Sequence, residues 1–482
     1  LLLAGPAHAE YLGNVTFDIA SPSFLPHDVR VYVSIDYKID VPEGRRIYVI
    51  PYTGGAPTPG YAVQGSPVYP QGTGTATSYF TIQSGEVLVD HLRVYTRDPD
   101  LTETPLELFV PVNYRFGPHG VYDVQPDHAP YSRLPHGTDL TISFSYGVDA
   151  PGCKIYARPW NGSHLEPGYA ASGSADLPPS GSYSQHFGFD GDADISHIRF
   201  QVFALDNTTL LAEFFVPWDC HWREWGLYDI SFNRDMLSSV HNSQQTVASF
   251  TIDHEVPEGL RVWVWSIQDG EYCPGSAYQG SQLEPMGAHT TSRYTLVTAG
   301  SQTVDHIRFL IGQADDIEMT FDVPLRLDYG PHALQGIEFV PASPAILSPD
   351  EPLEMTFSYL TDEAAGVRIF GRAALDGAPL FGMTSTGSPL YPAPSGTGDF
   401  WLSYDSDTVA DSIRLQMVSD DQSQLFLEWF EPGHFVWASS GTVTPATPPA
   451  ADTVLAPCYP NPFNPTTTVP VNLARAASVR LA

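Results

Sequence analysis

Alternation of apolar and polar positions is the main pattern along this chain. Between residues 246 and 325 the segments that follow it are "TVASFTID", "RVWVWSI", "SRYTLVTA", "VDHIRFLIG" and "IEMTFDVPL". They are rich in β-branched and aromatic residues, and turn residues separate them, which is typical of strands. No stretch sustains the 3.6-residue period of an amphipathic helix. The chain is therefore predicted to be all-β.

Three sequence marks recur along the chain at one spacing. The first is "PGYAVQGSPVYPQGTG" at 59–74, and its central glycine recurs at intervals of 108, 107 and 107 residues, as Gly65, Gly173, Gly280 and Gly387. The second is "VDHLRVY" at 89–95, which recurs as "ISHIRFQ", "VDHIRFL" and "ADSIRLQ". The third is "FVP", "FVP", "DVP" and "FEP" near the end of each copy. These marks predict four tandem repeats.

A unit of about 107 residues with six or seven strands is similar to an immunoglobulin-like or fibronectin-like sandwich. The chain is thus predicted to be a tandem array of four Ig-like antiparallel β-sandwiches, although the Cys…Trp…Cys hallmark is absent. The predicted repeats are 10–117, 118–226, 227–330 and 331–437. A linker rich in Pro, Thr and Ser follows at 438–452.

Two kinds of outward-facing position recur in the predicted strands. The first places a cation beside an aromatic residue, two positions apart on one face: Arg46 and Tyr48, Lys154 and Tyr156, Arg261 and Trp263, Arg368 and Phe370. The second is an arginine in the later strand: Arg93, Arg199, Arg308 and Arg414. In a chain with 22 basic residues and a formal net charge of −33, eight cations at two repeated positions are not a random scatter.

This cation and aromatic face has two interpretations. As a ligand face, its rings would stack on sugars and its arginines would bind carboxylates of acidic glycans. As a structural face, it would lie under the long Gly/Pro loop that contains the first sequence mark, at 59–74 in the first repeat. Each arginine would then stack on its aromatic neighbour and pair with acids of the loop. Recurrence in all four copies favours the structural interpretation, because a fold needs the same contact in every copy.

Charge and motifs exclude several function classes. The net charge of −33 argues against binding of nucleic acid or an anionic membrane surface. No apolar run approaches the ~20 residues that a membrane span needs. No hydrolase, zincin, P-loop or dinucleotide motif occurs, and no acid pair or nucleophile stands out, so the chain is not expected to be an enzyme.

Two weaker candidates concern metal and redox chemistry. Asp190, Asp192 and Asp194 alternate in "DGDADIS" and are a weak calcium candidate, since the glycine and closing glutamate of a calcium loop are missing; an acidic hairpin turn is the alternative. No other cofactor is expected. Cys153 and Cys220 fall in one repeat, and either a disulfide in an oxidising compartment or two free thiols is consistent with the sequence.

The two ends of the sequence carry targeting signals. "LLLAGPAHAE" has an apolar run before Ala7-His8-Ala9, which predicts the remnant of a secretory signal peptide at 1–9 with cleavage before Glu10. A short apolar strand is the alternative.

Near the other end, "CYPNPFNPTTTVP" (458–470) resembles the start of a type IX secretion (Por) C-terminal sorting domain. The resemblance rests on Tyr459, Pro460, Asn461, Pro462, Phe463, Asn464, Pro465 and Thr467. It covers about 28 residues, so 453–482 is expected to be a partial Ig-like sorting domain and the sequence a fragment cut at both ends.

The resemblance implies a Gram-negative bacterium, export through the periplasm and delivery to the outer surface by the type IX machinery. The function expected from these observations is a secreted or surface-displayed structural or adhesive protein that binds a glycan or a surface protein. The alternatives are a non-catalytic accessory part of a secreted hydrolase and a subunit of an extracellular fibre.

Overall fold

The computed structural model describes residues 10–313, 316–438, 453–455 and 471–473. The described residues form strands and turns, so the prediction of an all-β chain is confirmed. They contain no helix long and apolar enough to cross a membrane.

Long strands alternate with short ones in each repeat. The first repeat holds β1 (Tyr11–Phe17), β2 (Ser23–Pro26), β3 (Val31–Ile39), β4 (Arg45–Thr53), β5 (Ala56–Pro57), β6 (Tyr61–Val63), β7 (Val68–Tyr69), β8 (Gly72–Ile82), β9 (Val87–Arg97) and β10 (Glu107–Gly117). The second holds β11 (His119–Pro126), β12 (Ser132–Pro135), β13 (Asp139–Val148), β14 (Cys153–Asn161), β15 (His164–Leu165), β16 (Tyr169–Ala171), β17 (Ser180–Phe189), β18 (Ala193–Ala204) and β19 (Leu210–Arg223).

The third repeat holds β20 (Gly226–Phe232), β21 (Leu237–His241), β22 (Thr246–Asp253), β23 (Leu260–Gln268), β24 (Glu271–Tyr272), β25 (Ser276–Tyr278), β26 (Leu283–Glu284), β27 (His289–Val297), β28 (Gln302–Gln313) and β29 (Asp316–Gly330). The fourth holds β30 (His332–Val340), β31 (Ala345–Leu347), β32 (Leu353–Thr361), β33 (Arg368–Leu375), β34 (Ala378–Pro379), β35 (Met383–Ser385), β36 (Ser395–Tyr404), β37 (Thr408–Val418) and β38 (Leu425–Trp437). Two further strands, β39 (Thr453–Leu455) and β40 (Val471–Leu473), pair with each other.

The strands follow the sequence pattern because alternate side chains are buried. Along β22 each buried residue is followed by a partly exposed one, and β3 and β23 have nearly the same alternation. The buried side chains of each strand face its core, as a period of two requires.

The pairing differs from the expected antiparallel pattern at one place in each repeat. A short strand pairs in parallel with the last long strand of its own repeat: β2 with β10, β12 with β19, β21 with β29 and β31 with β38. The four sheets that contain these pairs are therefore mixed. In each repeat the short strand is the second strand, and the last strand returns beside it in the same direction.

The described residues divide into two compact units. Unit 1 contains the first repeat up to Gly120 and the fourth repeat from His332, and unit 2 contains Val121–Pro331. In unit 2 the second and third repeats each have an apolar core, centred on residues such as Phe200 and Trp222 in the second and Phe250 and Phe309 in the third. The fourth repeat has a similar core in unit 1.

In unit 2 a shared sheet joins the second and third repeats. Strand β12 lies between β19, its parallel neighbour, and β20, the first strand of the next repeat. The antiparallel pair that joins the repeats is Arg133 with Leu227. The third repeat thus extends a sheet of the second. As a result, both β12 and β20 have a neighbour on each side, and neither is an open edge.

In unit 1 the same kind of junction joins the fourth repeat to the first. Strand β31 lies between β38 and β1, with Leu347 opposite both Trp437 and Tyr11. The backbone N–H of Glu10 donates to Ser348 Oγ (2.8 Å), and Ser348 N–H donates to the carbonyl of Glu10 (2.8 Å). The first and last repeats are therefore neighbours in one unit.

Two ion pairs accompany this junction. The buried carboxylate of Glu10 lies 3.3 Å from Arg45 Nε within the first repeat. Lys38 Nζ of the first repeat lies 2.7 Å from Glu351 Oε1 of the fourth, whose side chain is almost fully buried. Burial raises the pKa of Glu351, and the hydrogen bond from Lys38 offsets part of this effect.

A substitution at Gly13 tests the junction of unit 1. A Cβ at this residue of β1 would lie 2.7 Å from Pro341 Cβ and 3.0 Å from Ala342 O. We expect Gly13→Ala to lower the free energy of unfolding by about 1–3 kcal/mol, because the packed neighbours must move. Gly65→Ala, where a Cβ meets nothing within 4 Å, is the matched control. Equal denaturation curves for the two variants would contradict this packing.

The pH dependence of stability tests the burial of Glu351. Since its folded-state pKa is raised above the ordinary value of 4.5, the folded chain holds a proton that the unfolded chain has released. Its contribution to stability is therefore present below pH about 4.5 and lost as pH rises through the folded pKa. We expect the stability of the native protein minus that of Glu351→Gln, measured by chemical denaturation, to fall across this window. A difference that is constant with pH would be the contrary result.

Candidate functional site

Each repeat has a serine directly after the central glycine of the first sequence mark. This serine attaches the loop that contains the mark to one long strand of its repeat, which is β4, β14, β23 or β33. In the first repeat, Ser66 Oγ accepts a hydrogen bond from Ile47 N–H (2.8 Å) and donates to the carbonyl of Pro67 (2.7 Å). The same two bonds recur at Ser174, Ser281 and Ser388, with backbone N–H donors from Ile155, Val262 and Ile369. This motif therefore has a structural role in every repeat.

The first set of recurring cations binds the same loop. Arg46 Nη1 donates to the carbonyl of Ser66 (2.6 Å), Arg368 Nη1 donates to that of Ser388 (2.7 Å), and Arg261 donates to that of Ser281. Lys154 instead pairs with Asp176 of its loop, 2.9 Å away. The arginine contacts to this loop are thus to its carbonyls, whereas the structural interpretation expected acids of the loop, as at Lys154. Arg368 also pairs with an acid outside the loop, Asp420, at 2.7 Å.

The aromatic residues beside these cations pack against neighbouring strands. Tyr48 stacks on Tyr95 at a centroid distance of 5.5 Å, and Tyr156 meets Phe203 edge-on at 5.9 Å. Trp263 and Phe370 are partly buried opposite Leu310 and Gln416. The cation–π contacts involve other arginines, such as Arg93 over Tyr95 at 4.3 Å and Arg158 over Tyr156 at 4.8 Å.

The second set of arginines pairs with an acid on the next strand. Arg308 binds Asp322 through two hydrogen bonds of 2.7 and 2.8 Å. The equivalent pairs in the other repeats are Arg93 with Glu107, Arg199 with Glu213 and Arg414 with Glu428. The acid follows its arginine by 14 residues in all four repeats, a spacing that the sequence contains and the sequence-based prediction missed.

His91 and His306, two residues before these arginines, contact aspartates that stabilise hairpin turns. His91 Nδ1 lies 2.9 Å from Asp90 Oδ1, while Asp90 Oδ2 accepts a hydrogen bond from Gly54 N–H (2.7 Å). Burial acts to raise the pKa of Asp90, but these hydrogen bonds outweigh it and hold the pKa below its ordinary value. Asp305 makes the same two contacts, with His306 and with Asp269 N–H. The histidine and aspartate pairs therefore have a structural role, because each aspartate accepts a backbone hydrogen bond from the turn.

The possible disulfide between Cys153 and Cys220 is not formed, and both residues are buried free thiols. Cys153 pairs with Ala204 at one end of β18, and Cys220 pairs with Ile195 near the other end. Nine residues of strand separate these partners, about 30 Å at the usual rise. Disulfide formation needs Cα atoms within about 7 Å.

The aspartates of the weak calcium candidate have different neighbours. Asp194 binds His221 Nδ1 and Arg223 Nη2, each at 2.6 Å, and Asp192 lies 2.9 Å from His136 Nε2. Within the described ranges no group of three or more His, Cys, Asp or Glu residues is arranged to hold a metal ion. The sorting motif at 459–467 and the signal remnant at 1–9 lie outside the described residues.

One surface differs between the repeats and has the chemistry of a ligand site. We call Trp265, Tyr272 and Tyr278 the aromatic platform. The Trp265 ring lies 4.1 Å from that of Tyr272 and 5.0 Å from that of Tyr278, measured between centroids. Tyr272 and Tyr278 are 50% and 48% exposed, so they offer ring surface to solvent. Burial raises the pKa of Tyr272, and nearby Arg308 partly opposes this.

The platform exists because of one residue on β23. Trp265 stands directly across from Arg308, whereas the equivalent arginines face Ile50, Arg158 and Arg372 in the other repeats. Arg308 itself is held by Asp322, which leaves the aromatic rings as the accessible groups. Recurrence between the repeats does not point to this site, because the platform occurs in one repeat.

Comparisons with known proteins do not place the chain in a family. No protein-family model and no curated protein matches it. A solved structure of Escherichia coli alpha-2-macroglobulin, activated by porcine elastase, matches with 9% identity and a TM-score of 0.19, covering 89% of this chain and 44% of that one. A marsupial T cell receptor matches with 9% identity and a TM-score of 0.16, covering 64% of this chain and 99% of the receptor chain.

Removal of one loop-anchoring serine tests the role of the Gly-Ser motif. We expect Ser281→Ala to lower the free energy of unfolding by about 1–3 kcal/mol, because Val262 N–H loses its acceptor. Limited proteolysis of the loop at 273–289 should also accelerate. Ser301→Ala, at an exposed position, is the control and should change neither measurement. Unchanged stability and cleavage in Ser281→Ala would show that the serine does not hold the loop.

Proposed function

We propose that this protein is a secreted or cell-surface repeat protein of a Gram-negative bacterium, a non-catalytic structural or adhesive module that binds a glycan. Export by type IX secretion is proposed from the resemblance at 455–482 and the leader pattern at 1–9. The proposed partners are the type IX machinery and an extracellular glycan.

We also propose that each repeat is an Ig-like sandwich. Support comes from the equivalent long strands in all four repeats and from the separate apolar cores of the second, third and fourth. The recurring loop anchors and arginine–acid pairs support an architectural role for the recurring face, since its cations already have partners within the chain.

The observation that supports glycan binding is the aromatic platform of the third repeat. Exposed Trp and Tyr rings provide a flat apolar surface with polar edges, which suits the C–H face of a sugar ring. Glu271, the carboxylate that acts on Tyr272, together with the net charge of −33, disfavours an acidic glycan. We therefore propose a neutral glycan as the ligand.

A fibre subunit is less favoured. A fibre built through the terminal repeats would use the junction between β31 of one chain and β1 of the next. In the structure β1 of the same chain fills that position.

A glycan-array screen of the full chain tests the proposal. We expect neutral glycans to bind, and Tyr272→Ala with Tyr278→Ala to weaken that binding by about tenfold or more, equal to about 1.4 kcal/mol. Both side chains are half exposed, so the fold should tolerate their removal. Phe381→Ala removes a 76% exposed ring of the fourth repeat and should leave binding intact. Absence of any bound glycan, or binding that is unaffected by loss of both tyrosines, would refute the platform as the ligand site.

A further inference from the structure

The junction between the second and third repeats contains a cavity of about 370 Å³. Tyr131 lines it from the second repeat, and the third repeat contributes Ile230, Phe232, Arg234, Met236 and Val323. Its volume falls in the range of about 300–1,000 Å³ that is usual for small-molecule sites. The lining is mainly apolar with one guanidinium, so the cavity differs in chemistry from the exposed aromatic platform.

The two equivalent junctions differ at one residue. In unit 1, Gly13 lets β1 pack closely on Pro341, Ala342 and Ala345 of the fourth repeat. In unit 2, the residue at the corresponding position of β20 is Tyr228, whose ring meets that of His128 edge-on at 5.0 Å. The junction of unit 2 is therefore packed differently from that of unit 1.

Arg234 is the cationic group that lines this space. Its Nη2 donates to the carbonyl of Gln245 (2.7 Å), while its Nε is buried and finds no acceptor among the described residues. Among the described residues, the ionisable group that acts on Arg234 is Tyr329 and not a carboxylate, although the chain has 55 acidic residues. Burial lowers the pKa of Arg234, and a bound anion would offset that cost.

We propose that the junction cavity binds a small apolar monocarboxylate. The hydrocarbon part packs against Phe232, Met236 and Val323, and the carboxylate pairs with the Arg234 guanidinium. Asp235 is exposed and also lines the cavity, which disfavours a ligand with a second negative charge. Because residues of both repeats line the site, an occupied cavity stabilises unit 2 by mass action.

Titration of the full chain with 3-phenylpropionate tests this site, and 3-phenylpropan-1-ol is the neutral match of the same size. Isothermal calorimetry should give a saturable dissociation constant for the carboxylate that is at least about tenfold lower than for the alcohol. Thermal unfolding in excess carboxylate should move to higher temperature. We expect Arg234→Gln to remove the preference for the carboxylate while the alcohol binds as before.

Two further variants separate binding from folding. Arg326→Gln makes the same chemical change at a 65% exposed arginine of the same repeat and should leave both affinities unchanged. Ala129→Phe adds a ring at an exposed position of the lining and should weaken both probes, with a circular dichroism spectrum like that of the native chain. The proposal is overturned by equal affinity for the two probes, by unchanged carboxylate binding in Arg234→Gln, or by no saturable binding up to about 10 mM.

Discussion

In the second and fourth repeats, one short strand is paired on both sides, and one of the two neighbours belongs to another repeat. Strand β31 of the fourth repeat lies between β38 of the same repeat and β1 of the first repeat. Strand β12 of the second repeat lies between β19 of the same repeat and β20 of the third repeat. An unpaired edge would expose a row of N–H and C=O groups, which is a risk for aggregation. This backbone constraint explains why Glu10 and Ser348, 338 residues apart in sequence, exchange hydrogen bonds in a buried setting.

Within each repeat, the recurring polar residues serve the fold. Ser66 and its equivalents supply an acceptor to a strand N–H that the long loop would otherwise leave unpaired. Arg93 and its equivalents pair with an acid on the adjacent strand. A fold needs such contacts in every copy, so recurrence within one chain indicates structure more often than ligand binding.

The candidate binding surfaces are an exposed platform in one repeat and a cavity at one junction. Trp265 replaces an aliphatic or basic residue across from the recurring arginine, and its ring orders Tyr272 and Tyr278 into an exposed platform. The cavity lined by the Arg234 guanidinium lies at the junction of the second and third repeats. The platform arises from one large aromatic residue at a position where the other repeats have a different side chain.

The sequence by itself determined the all-β class, the period of about 107 residues and the strands of the third repeat, because alternation and repetition are local properties. It also contained the 14-residue spacing of arginine and acid, which went unused. It could not determine that Cys153 and Cys220 lie at opposite ends of β18, because strand register sets that distance. Only the tertiary structure decided which repeats are neighbours and which aromatic rings stay exposed. The first outcome depends on pairing between segments up to 338 residues apart, and the second on the pairing of β23 with β28.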